Sequence, residues 1–87
     1  RMYLGSTTPV LIDDVAGARK LEVTKSGAAT TVVWSPGAER AHALVDLGDD
    51  AWTRMLCVEP ANAQDDRVLL LPGHVHETSM LVSVRRA

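Results

Sequence analysis

The amino-acid sequence predicts an all-β protein built as an antiparallel β-sandwich. Two observations support this class. Short runs of apolar or alternating residues recur along the chain, and Gly, Pro and Asp residues stand between them. Short strands separated by turn signals are the pattern of a sandwich. We therefore expect six or seven short strands, of which six are assigned to residues 9–12, 21–24, 30–34, 53–58, 67–71 and 78–85.

The first three strands follow from local pattern. Residues 9–12 form a short apolar run that Asp13 and Asp14 close, with Gly17 finishing the turn. Residues 21–24 alternate between apolar and polar side chains, as in a half-buried strand. A turn at Lys25-Ser26-Gly27 then leads to the β-branched run 30–34. The second and third strands are therefore predicted to form a hairpin.

The second half of the chain is less regular. Ser35-Pro36-Gly37 must stop the third strand, because Pro cannot donate to a ladder and Gly permits positive φ. Residues 38–44 favour one or two helical turns by propensity. The runs 53–58 and 67–71 are predicted strands, ended by Pro60 and by Pro72-Gly73 respectively. Residues 78–85 alternate again and give the last strand.

Composition limits the functional classes. The 87 residues, 46% hydrophobic and 23% charged, are enough for one small domain. Its core should be thin, because Phe is absent, so we expect another protein surface to help cover it. A net charge of −2 without a basic stripe argues against nucleic acid binding. The longest apolar runs, about five residues, are far below the ~20 that span a bilayer, so no membrane association is expected.

Two features of the sequence bear on the compartment in which the protein is found and on whether the chain is part of a longer one. The single cysteine, Cys57, excludes an internal disulfide framework and fits a reducing compartment, so we expect a cytoplasmic protein. The sequence begins at Arg1 without an initiator Met. We therefore expect that it is a segment of a longer polypeptide.

Several residues could carry metal or nucleophilic chemistry, and a simpler interpretation is preferred for each. His74 and His76 have a spacing that metal sites use, but a zinc site needs three or four ligands, so a polar loop is favoured. The Asp pairs lack the alternating ligands of a calcium loop and are interpreted as turn formers. Cys57 has apolar neighbours and is interpreted as an inert thiol. No metal and no cofactor is expected.

Glu59 is the strongest candidate for chemistry. It ends the apolar run 55–58, and strand alternation places Met55, Cys57 and Glu59 on one face. A carboxylate in such a setting suits a general base. Taken alone, the residues favour a structural carboxylate that reaches solvent or pairs with Arg54 or Arg67.

Three stretches and a short string then resemble one family when taken in order. The resemblance is to the C-terminal part of the hexose-6-phosphate mutarotases (glucose-6-phosphate 1-epimerases), which belong to the aldose 1-epimerase and galactose-mutarotase superfamily. The strings that carry it are Arg1-Met2-Tyr3-Leu4 leading to Ile12-Asp13-Asp14, Thr31-Val32-Val33-Trp34-Ser35-Pro36-Gly37, Met55-Leu56-Cys57-Val58-Glu59-Pro60-Ala61 and Leu71-Pro72-Gly73. Ser35 stands where the family commonly has Asn, and Gly37 where it often has an aromatic residue.

The resemblance implies a β-supersandwich of which residues 1–87 are the C-terminal segment. It implies an isomerase that interconverts the α and β anomers of a hexose 6-phosphate. Glu59 falls on the family's general base, and Trp34 and Ser35 would lie near the sugar cleft. The family's catalytic His and phosphate-binding Arg residues lie upstream of this stretch, so the isolated segment is expected to be inactive.

Two other functions remain open. One is a noncatalytic carbohydrate-binding β-sandwich module in which Trp34 or Trp52 stacks on a sugar and Glu59 is structural. The other is a truncated protein whose exposed sheet edges pair with another chain, since unpaired edges are templates for association.

Overall fold

The computed structural model describes residues 1–87 as six strands, one α-helix and two short 3-10 helices. The strands are β1 (Met2–Tyr3), β2 (Val10–Asp14), β3 (Arg19–Ser26), β4 (Thr30–Trp34), β5 (Cys57–Ala61) and β6 (Ser79–Arg86). The α-helix, α1, spans Gly37–Ala43, and the 3-10 helices span Ala51–Arg54 and Gln64–Asp66. No helix is long and apolar enough to cross a membrane.

The strands form two antiparallel sheets of three strands each. One sheet has the order β1-β4-β5 and the other the order β2-β3-β6. All four strand pairings are antiparallel. The predicted all-β, sandwich-like class is therefore confirmed, as are the helix after β4 and the long final strand.

The hairpin predicted between the strands now called β3 and β4 is wrong. Both edges of β3 are occupied, by β2 on one side and β6 on the other, so its backbone groups have no capacity for β4. At Gly27, with φ of 81°, the chain leaves one sheet and enters the other. Lys25 Nζ holds this crossing by donating to the carbonyl oxygens of Ala28 and Thr30 at 2.6 and 3.2 Å.

The hairpin that the structure does contain joins β2 and β3. Its turn is fastened by Asp14, whose side chain accepts from the Gly17 N–H at 3.0 Å and from Arg19 Nε at 2.7 Å. The hydrogen bond from Arg19 is the main cause that lowers the pKa of the Asp14 carboxyl, and the hydrogen bond from Gly17 is the second. The turn through Gly17 is confirmed, but β2 runs through Asp13 and Asp14, which were expected to close the strand.

Two strand predictions in the second half need correction. Residues 51–54 form a 3-10 helix, and β5 begins only at Cys57 and continues through Pro60. Pro is tolerated there because β5 is the edge strand of its sheet, where a missing N–H need not break a ladder. Residues 67–71 form no strand, since an apolar run becomes a strand only where another backbone lies beside it.

The core is small, as the absence of Phe predicted. Only five of the 87 residues are buried, namely Val23, Ala28, Thr30, Thr31 and Ala41. The accessible surface is 6667 Å², against about 5,000 Å² for a compact monomer of this mass. The radius of gyration, 15.6 Å, likewise exceeds the value of about 12 Å expected for a compact domain of this length. Much apolar surface therefore faces outward.

Candidate active site

Glu59 lies in the middle of β5, at the edge of the β1-β4-β5 sheet. Its partner on β4 is Val32, which in turn pairs with Met2 on β1. Residues directly opposite one another in an antiparallel sheet share a face. Glu59 therefore stands at the end of a row with two apolar side chains. By alternation Cys57 shares this face with Glu59, whereas Met55, which was expected on the same face, precedes β5 and is not part of the strand.

Trp34 is the aromatic neighbour of Glu59 on the same face. It pairs with Cys57, two residues before Glu59, which makes Trp34 and Glu59 diagonal neighbours at roughly 7–8 Å between backbones. The indole is half-buried and the carboxylate is exposed. An aromatic ring beside a carboxylate that accepts hydrogen bonds suits a sugar, because a sugar ring presents both apolar C–H faces and hydroxyl groups.

The arginines expected to neutralise Glu59 are engaged elsewhere. Arg54 Nη1 lies 3.6 Å from Asp50 Oδ2, and Arg67 Nη1 donates to the Gln64 carbonyl oxygen at 3.2 Å. No ion pair in the structure involves Glu59. The structural interpretation offered two forms for Glu59: the ion pair with Arg54 or Arg67 is not formed, and the carboxylate reaches solvent, as the other form expected. A general base needs this accessibility to reach a hydroxyl proton.

The histidines have other partners. His42, near the end of α1, has its Nδ1 2.9 Å from Oδ1 of Asp49, which lies in the connection after the helix. His76 Nε2 lies 2.8 Å from the Gly27 carbonyl oxygen and 3.0 Å from Asn62 Oδ1. Asn62 lies three positions after Glu59, roughly 10 Å along an extended chain. The structure therefore does not place His76 next to the Glu59 carboxylate.

The remaining candidates are spread over the surface. Ser35 is exposed just beyond the end of β4, while Trp52 is half-buried in the 3-10 helix Ala51–Arg54. His74 and His76 lie in an irregular segment, as the polar-loop interpretation predicts. No three His, Cys, Asp or Glu side chains converge to hold a metal ion. Of the three predicted site residues Glu59, Trp34 and Ser35, therefore, only Trp34 and Glu59 lie together on one sheet face.

A polar cluster beyond the end of β5 was missed by sequence reasoning, which took Asp66 for a turn former. Asp66 Oδ2 accepts from the Ala29 N–H at 2.8 Å, from Thr30 Oγ1 at 3.3 Å and from Asn62 Nδ2 at 3.2 Å. Asn62 also donates to the Gly27 carbonyl oxygen at 3.1 Å. We call Asn62 and Asp66 the β5 clamp.

The β5 clamp fixes the geometry of the candidate site. It joins the end of β5 to the crossing between the two sheets, where Thr30 begins β4 and is completely buried. Thr30 pairs with Ala61 at the same end of the two strands. The clamp thereby holds the register that sets Glu59 beside Trp34.

Comparison with known proteins gives two matches to one family. The sequence profile described as aldose 1-epimerase matches residues 1–83. A protein from Cenchrus ciliaris named "Putative glucose-6-phosphate 1-epimerase" is 38% identical over 73 residues, which cover 84% of this chain and 22% of that protein. The chain thus spans about a fifth of the length of this relative. No solved structure matches the chain.

Proposed function

Because the chain belongs to the aldose 1-epimerase family, we propose that it forms part of a mutarotase in which Glu59 is the general base. The observation that carries this proposal is the position of Glu59. Its carboxylate is exposed, makes no ion pair and lies diagonally from Trp34 on a sheet face. This arrangement offers a base and an apolar platform to the same sugar ring.

The proposed reaction is the opening and reclosure of a cyclic sugar. Glu59 takes the proton of the anomeric hydroxyl, and the electron pair released forms the aldehyde C=O as the bond from that carbon to the ring oxygen breaks. A general acid protonates the ring oxygen. Rotation about the bond to the aldehyde carbon, followed by the reverse proton transfers, gives the other anomer. Each acid or base typically contributes ~10² to 10⁴-fold.

The proposed substrate is a hexose 6-phosphate. It is supported by the name of the Cenchrus ciliaris relative and by the sequence strings around Trp34 and Glu59. Trp34 would support the apolar face of the sugar, and Ser35, exposed at the end of β4, would supply a hydroxyl for hydrogen bonding.

The proposed domain extends beyond this chain. Residues 1–87 would be the C-terminal segment of one β-supersandwich, whose N-terminal part supplies the acid and the phosphate ligands and covers the sheets. Two facts support this assignment: the chain matches 22% of its relative, and only five residues are buried. A cytoplasmic location, based on the single free Cys57, belongs to the same proposal.

A chimera tests whether the segment has this function. Residues 1–83, which match the family profile, replace the corresponding segment of the Cenchrus ciliaris relative, and exchange between the anomers of glucose 6-phosphate is followed by NMR. We expect the chimera to catalyse exchange and the 87-residue chain alone to be inactive. A folded chimera without activity, made from an active parent, contradicts the proposal.

The position of Trp34 also supports the second function, a noncatalytic carbohydrate-binding module. In that case the 87-residue chain alone would bind a sugar through Trp34, and the folded chimera would not catalyse anomer exchange. Calorimetric titration with glucose 6-phosphate, using Trp34→Ala and Trp52→Ala, separates the functions. Binding by the isolated chain that only Trp34→Ala abolishes favours the module.

A further inference from the structure

A charged residue interrupts the apolar face of β3. Leu21 and Val23 lie on one face of this strand, and alternation puts Lys25 on the same face. The partner of Lys25 on β6 is Met80, which is also apolar. Lys25 is half-buried, and no ion pair in the structure involves it. A cation in such a position is costly unless hydrogen bonds satisfy it.

Three backbone carbonyl groups supply those hydrogen bonds. Lys25 Nζ donates to the carbonyl oxygens of Ser6 and Ala28, each at 2.6 Å, and to that of Thr30 at 3.2 Å. An ammonium group has three donors and no acceptor, so these three oxygens, which we call the carbonyl cage, match it completely. Ala28 and Thr30 are buried, and no other protein donor reaches the Ala28 carbonyl oxygen. The cage is therefore a built site for a cation.

The carbonyl cage joins the two sheets. Its oxygens come from the connection between β1 and β2, from the crossing between the sheets and from Thr30, the first residue of β4. Lys25 reaches them from β3, in the other sheet. Thr30 pairs with Ala61, and Glu59 precedes Ala61 by two residues on the same face of β5. Because β4 is the only strand beside β5, the position of Thr30 decides the position of Glu59.

We propose that Lys25 is a positioning residue for Glu59, a role that rests on the function proposed for Glu59 above. Its ammonium group fills the carbonyl cage and thereby fixes the start of β4 and the register that sets Glu59 beside Trp34. Three neutral oxygens with no carboxylate among them suit a primary ammonium ion, because all three N–H groups form charge-assisted hydrogen bonds. When the side chain is cut back, a small primary ammonium ion therefore takes its place.

Chemical rescue tests the cation site in the 87-residue chain. Lys25→Ala removes three carbons and the ammonium group, which together correspond to n-propylammonium. We expect this variant to melt at least about 4 °C below Lys20→Ala, the control at the chain's other lysine, which is exposed on β3. n-Propylammonium should restore the melting temperature with saturation. Equal concentrations of tetramethylammonium, which has no N–H donor, or of uncharged 1-propanol should not.

Each result of this experiment has a definite meaning. A Lys25→Ala chain that folds only in n-propylammonium supports the cation site as strongly as a restored melting temperature. A variant as stable as Lys20→Ala, an equal response to the three additives, or a chain that stays unfolded in n-propylammonium overturns it.

Kinetics of the chimera test the positioning role. At a temperature where circular dichroism shows the Lys25→Ala chimera to be folded, its kcat for anomer exchange of glucose 6-phosphate should fall roughly 10- to 100-fold, because a displacement of about 1 Å can cost that much. n-Propylammonium should restore kcat, and Lys20→Ala should leave it unchanged. A folded Lys25→Ala chimera with the kcat of the control overturns the positioning role but leaves Glu59 as the base. An inactive parent chimera contradicts the proposed function and the positioning role with it, and the melting experiment then decides the cation site alone.

Discussion

The β5 clamp makes a stability prediction that can be worked out from its geometry. Asp66→Ala removes an acceptor used by three donors, the Ala29 N–H, the Thr30 hydroxyl and the Asn62 amide. Thr30 is completely buried, so water does not replace the lost acceptor at its hydroxyl without rearrangement. An unsatisfied buried donor costs about 1–3 kcal/mol. We therefore expect Asp66→Ala to lose about 3 kcal/mol of the free energy of unfolding.

That loss is large for a chain of this size. Typical stabilities of about 0.05–0.15 kcal/mol per residue give this chain roughly 4–13 kcal/mol. Asp66→Ala should therefore lower the urea midpoint strongly, with fluorescence of Trp34 and Trp52 as the readout. Asp65→Ala is the matched control, since its exposed side chain makes no hydrogen bond to the protein. If the urea midpoints of Asp66→Ala and Asp65→Ala differ by less than the equivalent of ~0.5 kcal/mol, the β5 clamp does not have the stabilising role given to it.

Two further predictions concern the turns. Gly27→Ala should lower the free energy of unfolding by more than about 2 kcal/mol, because its φ is +81° and a Cβ would collide with the Glu77 carbonyl oxygen. The control is Gly73→Ala, where φ is +80° but the space around a Cβ is open, and it should lose only about 1–2 kcal/mol. Urea denaturation measures both losses. Asp14→Asn should destabilise the chain at pH 7 and have a smaller effect at pH 3. The pKa of Asp14 is lowered in the folded state, so its stabilisation is present above the unfolded value near 4 and is lost as the pH falls through the folded value. Thermal melts of both proteins at the two pH values check this, and an equal difference at pH 3 and pH 7 would contradict it.

Local patterns predicted the elements of this fold better than their partners. Alternation around Leu21 and Val23 located β3, and the β-branched run ending in Trp34 located β4. Their pairing with each other was inferred from the short turn at Gly27 and is wrong, because β3 already has two neighbours. The run at 67–71 has strand composition but no adjacent backbone partner. Such partners are set by distant parts of the chain, which no local window contains.

In the candidate site, too, local pattern predicted single residues but not the contacts between distant parts of the chain. Alternation alone placed Cys57 and Glu59 on one face, and the resemblance gave Glu59 its proposed role. That Trp34 lies diagonally from Glu59 required the register of β4 against β5. The contacts of Asp66 with Ala29 and Thr30 join residues 37 and 36 positions apart, so no spacing in the sequence signals them.

The most direct test of the account is the turnover of the chimera carrying Glu59→Gln. The substitution keeps the size and removes the basic oxygen, and Glu22→Gln on β3 is the control for loss of a surface carboxylate. If Glu59 is the general base, kcat for anomer exchange of glucose 6-phosphate falls at least ~100-fold with little change in KM. A turnover within a few-fold of that of the Glu22→Gln control would remove Glu59 from the mechanism.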